Sequence, residues 1–239
     1  MNDARAVVLG KIREALHDVP KSERAHDVPV DRSYRTVDSA SFSERISLFV
    51  ERVREYKARV RTIRPAELSQ AIADACAARG VRRLVVPADL PEGWAPSGVT
   101  LLREPGLSND VLEHSDGVLT AAAMGIAQTG TIVLDSGPGQ GRRAISLLPD
   151  YHLCVIRDDQ VVGLVPEAVA GLHTAAGDTT RPITFISGPS ATSDIELNRV
   201  EGVHGPRTLE VLLVTSLVLD HIPKPPQPKV AGSNPAGHT

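Results

Sequence analysis

Cysteine is nearly missing from this chain: Cys76 and Cys154 are the two thiols in 239 residues, far apart and outside any CxxC or Cys/His cluster. A disulfide framework, a zinc site and an iron–sulfur cluster all need more ligands at closer spacing. No apolar run approaches the roughly 20 residues that span a bilayer. The first residues, MNDARAVVLGKIREAL, lack a signal peptide's order of basic, apolar and small segments, so a cytoplasmic protein is expected. Excess charge of one sign is absent too. A formal net charge of -3 and a pI near 6.2 give no general attraction to nucleic acid or anionic membrane. Three familiar chemistries also lack their signatures: no lysine closes a Walker glycine loop, no GxGxxG opens a helix after a strand, and no nucleophile elbow precedes an Asp and a His.

What is present is enough apolar residue, 41%, to bury one large core. Residues 1–35 read as an arm, with a short helix from 4 to 16 carrying Val8, Ile12 and Leu16 on one face, then a polar linker broken by Pro20 and Pro29. From 42 to 57, Ile46, Phe49, Val50, Val53 and Tyr56 recur at helical spacing, while Arg45, Arg52, Arg54 and Lys57 alternate with Glu44, Glu51 and Glu55 on a solvated face. Strand and helix patterns then alternate. RVRTI, RRLVVP, GVTLL, HLCVIR, QVVGLV, ITFIS and TLEVLLVTS read as strands, with helices at PAELSQAIADACAARG, SNDVLEHS, RRAISLLPD and PEAVAGLHTAA. The stretch DGVLTAAAMGIAQTGTIVLDS reads as a pair of strands with Gly125 and Gly130 near the bend. This alternation predicts an α/β fold, a mixed but largely parallel sheet sandwiched by helices, over residues 36–218. Residues 219–239, within a tail that holds five prolines from His221 onward, are expected to be disordered.

Ligands of open α/β sheets sit beyond the carboxyl ends of the strands. Three stretches are candidates. In GIAQTGTIVLDSGPGQGRR, Gln128, Thr129, Gly130 and Thr131 precede a glycine loop that ends in Arg142 and Arg143, which suits a carboxylate or phosphate; a plain hairpin-to-helix loop with solvated arginines also fits. In ISGPSATSDIE, Ser187, Gly188 and Ser190 follow a strand, with Asp194 and Glu196 as candidate acid, base or nucleophile; a capped turn that reverses the chain is the alternative. In EGVHGPRTLEV, His204 is a third catalytic candidate and Arg207 an anion ligand. Arg142 and Arg207 are expected to converge on one anion with Ser187 or Ser190.

Taken in order, GIAQTGTIVL, RRAISLLPDYHLCVI and ISGPSATSDIELNRVEGVHGPRTLEVLLV resemble the signature blocks of the lactate-utilisation (LUD) domain family over roughly residues 115–215. The resemblance implies a fold like that of glucosamine-6-phosphate isomerase, ribose-5-phosphate isomerase, the CoA transferases and 5-formyltetrahydrofolate cyclo-ligase. It implies that the SGPS turn and the TGT strand face one cleft, and it carries over no catalytic residue. It also implies an accessory role, beside two iron–sulfur partner proteins, in a bacterial system that oxidises L-lactate to pyruvate. On that reading this chain alone holds no cofactor and no metal, and its ligand is a small carboxylate or phosphate. The alternative is an independent enzyme of the cyclo-ligase or CoA-transferase kind, with Glu196 or Asp194 as nucleophile or base.

Overall fold

A computed structural model of the chain describes residues 2–20, 22, 24, 31, 33–176, 181–192, 200–201 and 205–217. Asp194, Glu196, His204 and the tail 219–239 lie outside the described residues. The chain divides into two units, 1–35 and 36–239. The first holds helix α1 (Asn2–Ala15), on which Val8 and Ile12 stand one turn apart.

The second unit opens with α2 (Phe42–Glu55), fixed at its start by a reciprocal cap: Ser41 N donates to Glu44 Oε2 at 2.9 Å and Glu44 N to Ser41 Oγ at 3.3 Å. Its stripe of Ile46, Phe49, Val50 and Val53 is fully buried. Among the described residues twelve strands follow: β1 (Arg59–Ile63), β2 (Arg83–Val86), β3 (Thr100–Arg103), β4 (Gly117–Ala121), β5 (Met124–Ile126), β6 (Thr131–Leu134), β7 (Tyr151–Arg157), β8 (Val161–Val162), β9 (Thr184–Ile186), β10 (Ala191–Thr192), β11 (Val200–Glu201) and β12 (Thr208–Val214). Six of them form a sheet in the order β1-β12-β7-β4-β2-β3, with every pair parallel. The mostly buried runs of the inner strands β12, β7, β4 and β2 are what a sheet covered on both faces demands, while the edge strands β1 and β3 are partly exposed.

One face packs under α3 (Leu68–Ala78), where Ala71, Ile72, Ala75 and Cys76 meet Leu84, Leu119, Leu153 and Leu212. The other face meets α2 and a second sheet, through Cys154, Ile156, Val211 and Leu213. That second sheet has four strands in the order β8-β5-β6-β9, with β5–β6 and β6–β9 antiparallel. Its period-2 alternation divides two cores: Ile132 and Leu134 face the large sheet, while Val133 faces Ala168 and Leu172 of α5 (Val165–Ala176). A short helix, α4 (Asn109–Glu113), seats Leu112 against Val85, Val118 and Ile145.

The α/β class and the largely parallel sheet stand. The stretch 116–136 differs from expectation, because it supplies three strands rather than a pair, β4 in the large sheet and β5–β6 in the small one. Gly125 is inside β5, not at a bend. A Cβ there would lie 2.9 Å from both Ile156 Cδ1 and Phe49 Cε2, so its bareness permits the close approach of the two layers. The chain steps from β2 out to the edge strand β3 and returns to the other side of β2 as β4. Connections therefore reverse direction between β2 and β4, which is where an open parallel sheet leaves a crevice at its carboxyl edge. Among the described residues no helix is long and apolar enough to cross a membrane.

Candidate functional site

At the carboxyl ends of β2 and β3 the chain places Asp89 and Glu104, and the glycine loop after β6 folds over both. Asp135 organises that loop. Its backbone N–H donates to Gln140 Oε1 at 2.7 Å, and its Oδ1 accepts from Gly137 N at 3.0 Å and Gln140 Nε2 at 2.8 Å. Gly139, at φ +70°, donates its N–H to Asp89 Oδ2 at 2.8 Å and accepts at its carbonyl from Ala121 N at 2.7 Å. The loop is thereby tied to the ends of both β2 and β4, and delivers Arg142 onto Glu104.

The result is a depression of about 320 Å³ lined by Asp89, Glu104, Ser136, Gly141, Arg142 and Arg181. Glu104 is only 5% exposed. Arg142 directs Nε at 3.0 Å and Nη2 at 2.9 Å onto the same oxygen, Glu104 Oε1, and gives a further bond from Nη2 to Leu107 O at 2.6 Å. Glu104 Oε2 has no hydrogen-bond partner among the described residues. Arg181 pairs through Nη2 with Asp135 Oδ2 at 3.2 Å. Two guanidiniums are thus held in place by buried carboxylates on one rim, a donor set whose geometry matches that of a planar anion.

The expected TGT and SGPS residues assemble elsewhere. Thr129 Oγ1, Thr131 Oγ1 and Ser187 Oγ form a string with 2.7 Å at each step, and Ser190 N donates to Pro206 O at 2.9 Å. Gly130 and Gly188 both press against the end of α2, at Arg52 and Tyr56. Gln128 lies beyond this string, with Thr129, on a shallow surface beside Arg52 and Tyr56. The SGPS turn does border a recess, about 290 Å³, but its guanidinium is Arg143, and Gly205 and Pro206 enter it from the amino end of β12.

Arg207 stands on the surface, its Nε 2.7 Å from Asp150 Oδ1 and its side chain 63% exposed. The structure thus separates Arg142 from Arg207 and from Ser187 and Ser190. His152, near the start of β7, also borders the recess; burial pushes it down to about 4, so it is neutral, and its Nε2 lies 2.8 Å from Thr120 Oγ1.

The LUD domain matches residues 107–214. Lactate utilization protein C of Deinococcus radiodurans is 48% identical over 175 residues, 73% of this chain and 81% of that protein. The chain belongs to the LUD-domain family. Lactate utilization protein C of Halalkalibacterium halodurans is 43% identical over 97 residues, 39% of this chain and 42% of that protein. A crystal structure described as a DUF162 family protein from Deinococcus radiodurans has 42% identity and a TM-score of 0.64, covering 74% of this chain and 99% of that one.

Within the LUD match lie Arg142 and the SGPS turn, while Asp89 and Glu104 precede it. Those two, with Arg181 and His152, were not singled out in the sequence, whereas Arg143 was read beside Arg142 at the end of the glycine loop. For Asp89 and Glu104 a signal existed: each is the first acidic residue after a strand run, RRLVVP or GVTLL, where the carboxyl-end rule points. Arg181 carried none, since only tertiary folding brings the segment before β9 to Asp135.

Proposed function

We propose that this LUD-domain chain serves lactate utilisation as an accessory component that binds a small carboxylate in the depression at the carboxyl edge of the parallel sheet, working beside iron–sulfur partner proteins. The link to lactate rests on the name of its Deinococcus radiodurans relative, similar over most of both chains. The site rests on one observation: Arg142 is locked onto buried Glu104 at the crevice between reversing connections, and among the described residues its Nη1 has no hydrogen-bond partner. A locked guanidinium loses little conformational freedom on meeting a carboxylate, so more of the interaction appears as affinity.

A calorimetric titration of the full chain with L-lactate, pyruvate and phosphate tests the site. A charge-assisted hydrogen bond contributes roughly 1.5–3 kcal/mol, so Arg142→Ala should weaken binding by about one to two orders of magnitude. Arg142→Lys should restore it only in part, since an ammonium lacks the planar fork. Arg207→Ala, on the distant Asp150 pair, should bind like the wild type. Equal affinity of the wild type and Arg142→Ala would remove this depression as the site.

A further inference from the structure

An arginine fork normally offers parallel N–H groups to both oxygens of a carboxylate. Here both Nε and Nη2 of Arg142 converge on Glu104 Oε1, at 3.0 and 2.9 Å, and Oε2 has no donor among the described residues. A buried carboxylate oxygen without a donor is costly, and native proteins rarely leave one so. An ionised carboxylate can only accept hydrogen bonds, so whatever completes Oε2 must bring an O–H or N–H. Glu104 lines the depression, and its broad terminal torsion lets Oε2 turn toward a molecule seated there, with Oε1 and the Arg142 side chain following the same turn.

Resting on the small-carboxylate reading of this same depression, we infer that it selects a 2-hydroxy acid over the matching 2-keto acid, with the ligand's carboxylate on Arg142 and its hydroxyl donating to Glu104 Oε2. The keto acid has no proton at C2 and would set a carbonyl oxygen against a carboxylate oxygen. Arg181, paired with Asp135 on the same rim, adds a second positive group toward the ligand's carboxylate. The chain would then hold the reduced member of the hydroxy-acid and keto-acid pair, the substrate side of an oxidation.

Three acids of the same carbon count separate the possibilities: L-lactate, pyruvate and propionate, titrated calorimetrically into the full chain. L-lactate should bind at least about tenfold tighter than propionate, the value of one charge-assisted hydrogen bond, and pyruvate should bind no better than propionate. Glu104→Gln keeps an oxygen for Arg142 but can place an amide N–H where Oε2 stood. It should weaken L-lactate and strengthen pyruvate, so that the preference narrows about tenfold or inverts, whereas a merely structural role for Glu104 would weaken both alike. Equal binding of the three acids by the wild type overturns the hydroxyl inference and leaves the anion site standing. Failure of all three to bind overturns both. The wild-type series decides the matter even if Glu104→Gln does not fold.

Discussion

His152 enters a parallel sheet whose other residues at that level are hydrocarbon, and it is 1% exposed. Burial holds it near 4, whereas an imidazole in the unfolded chain titrates near 6.5. Its folded value is the lower one, so its contribution is complete above about pH 6.5 and declines as the pH falls toward 4, by about 3 kcal/mol in all. Urea titrations at pH 7 and pH 4.5 should show that loss, and His152→Gln, which cannot gain a proton, should flatten it; an unchanged pH dependence in His152→Gln would refute the assignment. Residues of this kind mark the limit of sequence reading. A lone His in HLCVI gives no sign that it will be dry, and Glu104 in LLREPG reads as surface charge until Arg142 arrives from 38 residues away. Arg142 was legible because a glycine loop announced it. Glu104 stood where the carboxyl-end rule points, but its pairing with Arg142 was not legible, since hydrogen bonding between remote segments leaves no local pattern.

The β5–β6 hairpin is pinned at Gly130, whose φ is +59° and whose Cβ position lies 2.6 Å from Arg52 C and 2.7 Å from Val53 N. Backbone of a helix cannot give way as a side chain can, so Gly130→Ala combines a left-handed conformation with a clash against α2. Denaturant titration should record a loss of more than about 2 kcal/mol, well beyond the usual exposed turn substitution. A change within about 0.5 kcal/mol would mean that the hairpin can ride off the helix. Helices were the most readable elements: the stripe at Ile46, Phe49, Val50 and Val53 became the buried face of α2. Strands were readable as runs, but their allocation to sheets was not. TIVL is buried on both faces, and nothing in four apolar residues states that Ile132 will pair with Ile186 in a second sheet rather than continue the first.

For the molecule as a whole, the disposition of the thiols bears on the proposed division of labour. Cys76 lies on α3 in the core on one face of the large sheet, and Cys154 on β7 in the core on the other. Burial pushes the first up to about 11 and the second up to about 12, far from the thiolate that a cluster needs. The purified chain alone should therefore contain no stoichiometric iron or sulfide and should not reduce an artificial acceptor with L-lactate, whereas the chain combined with its proposed iron–sulfur partners should support that reduction. Lactate-dependent reduction by the chain alone would overturn the accessory reading. The same placement makes the two sulfurs separate clocks. An alkylating reagent can reach Cys76 only when the α3 layer lifts, and Cys154 only when α2 and the small sheet part from the large one. The ratio of the two labelling rates tells which side of the sandwich breathes first, with no engineered probe.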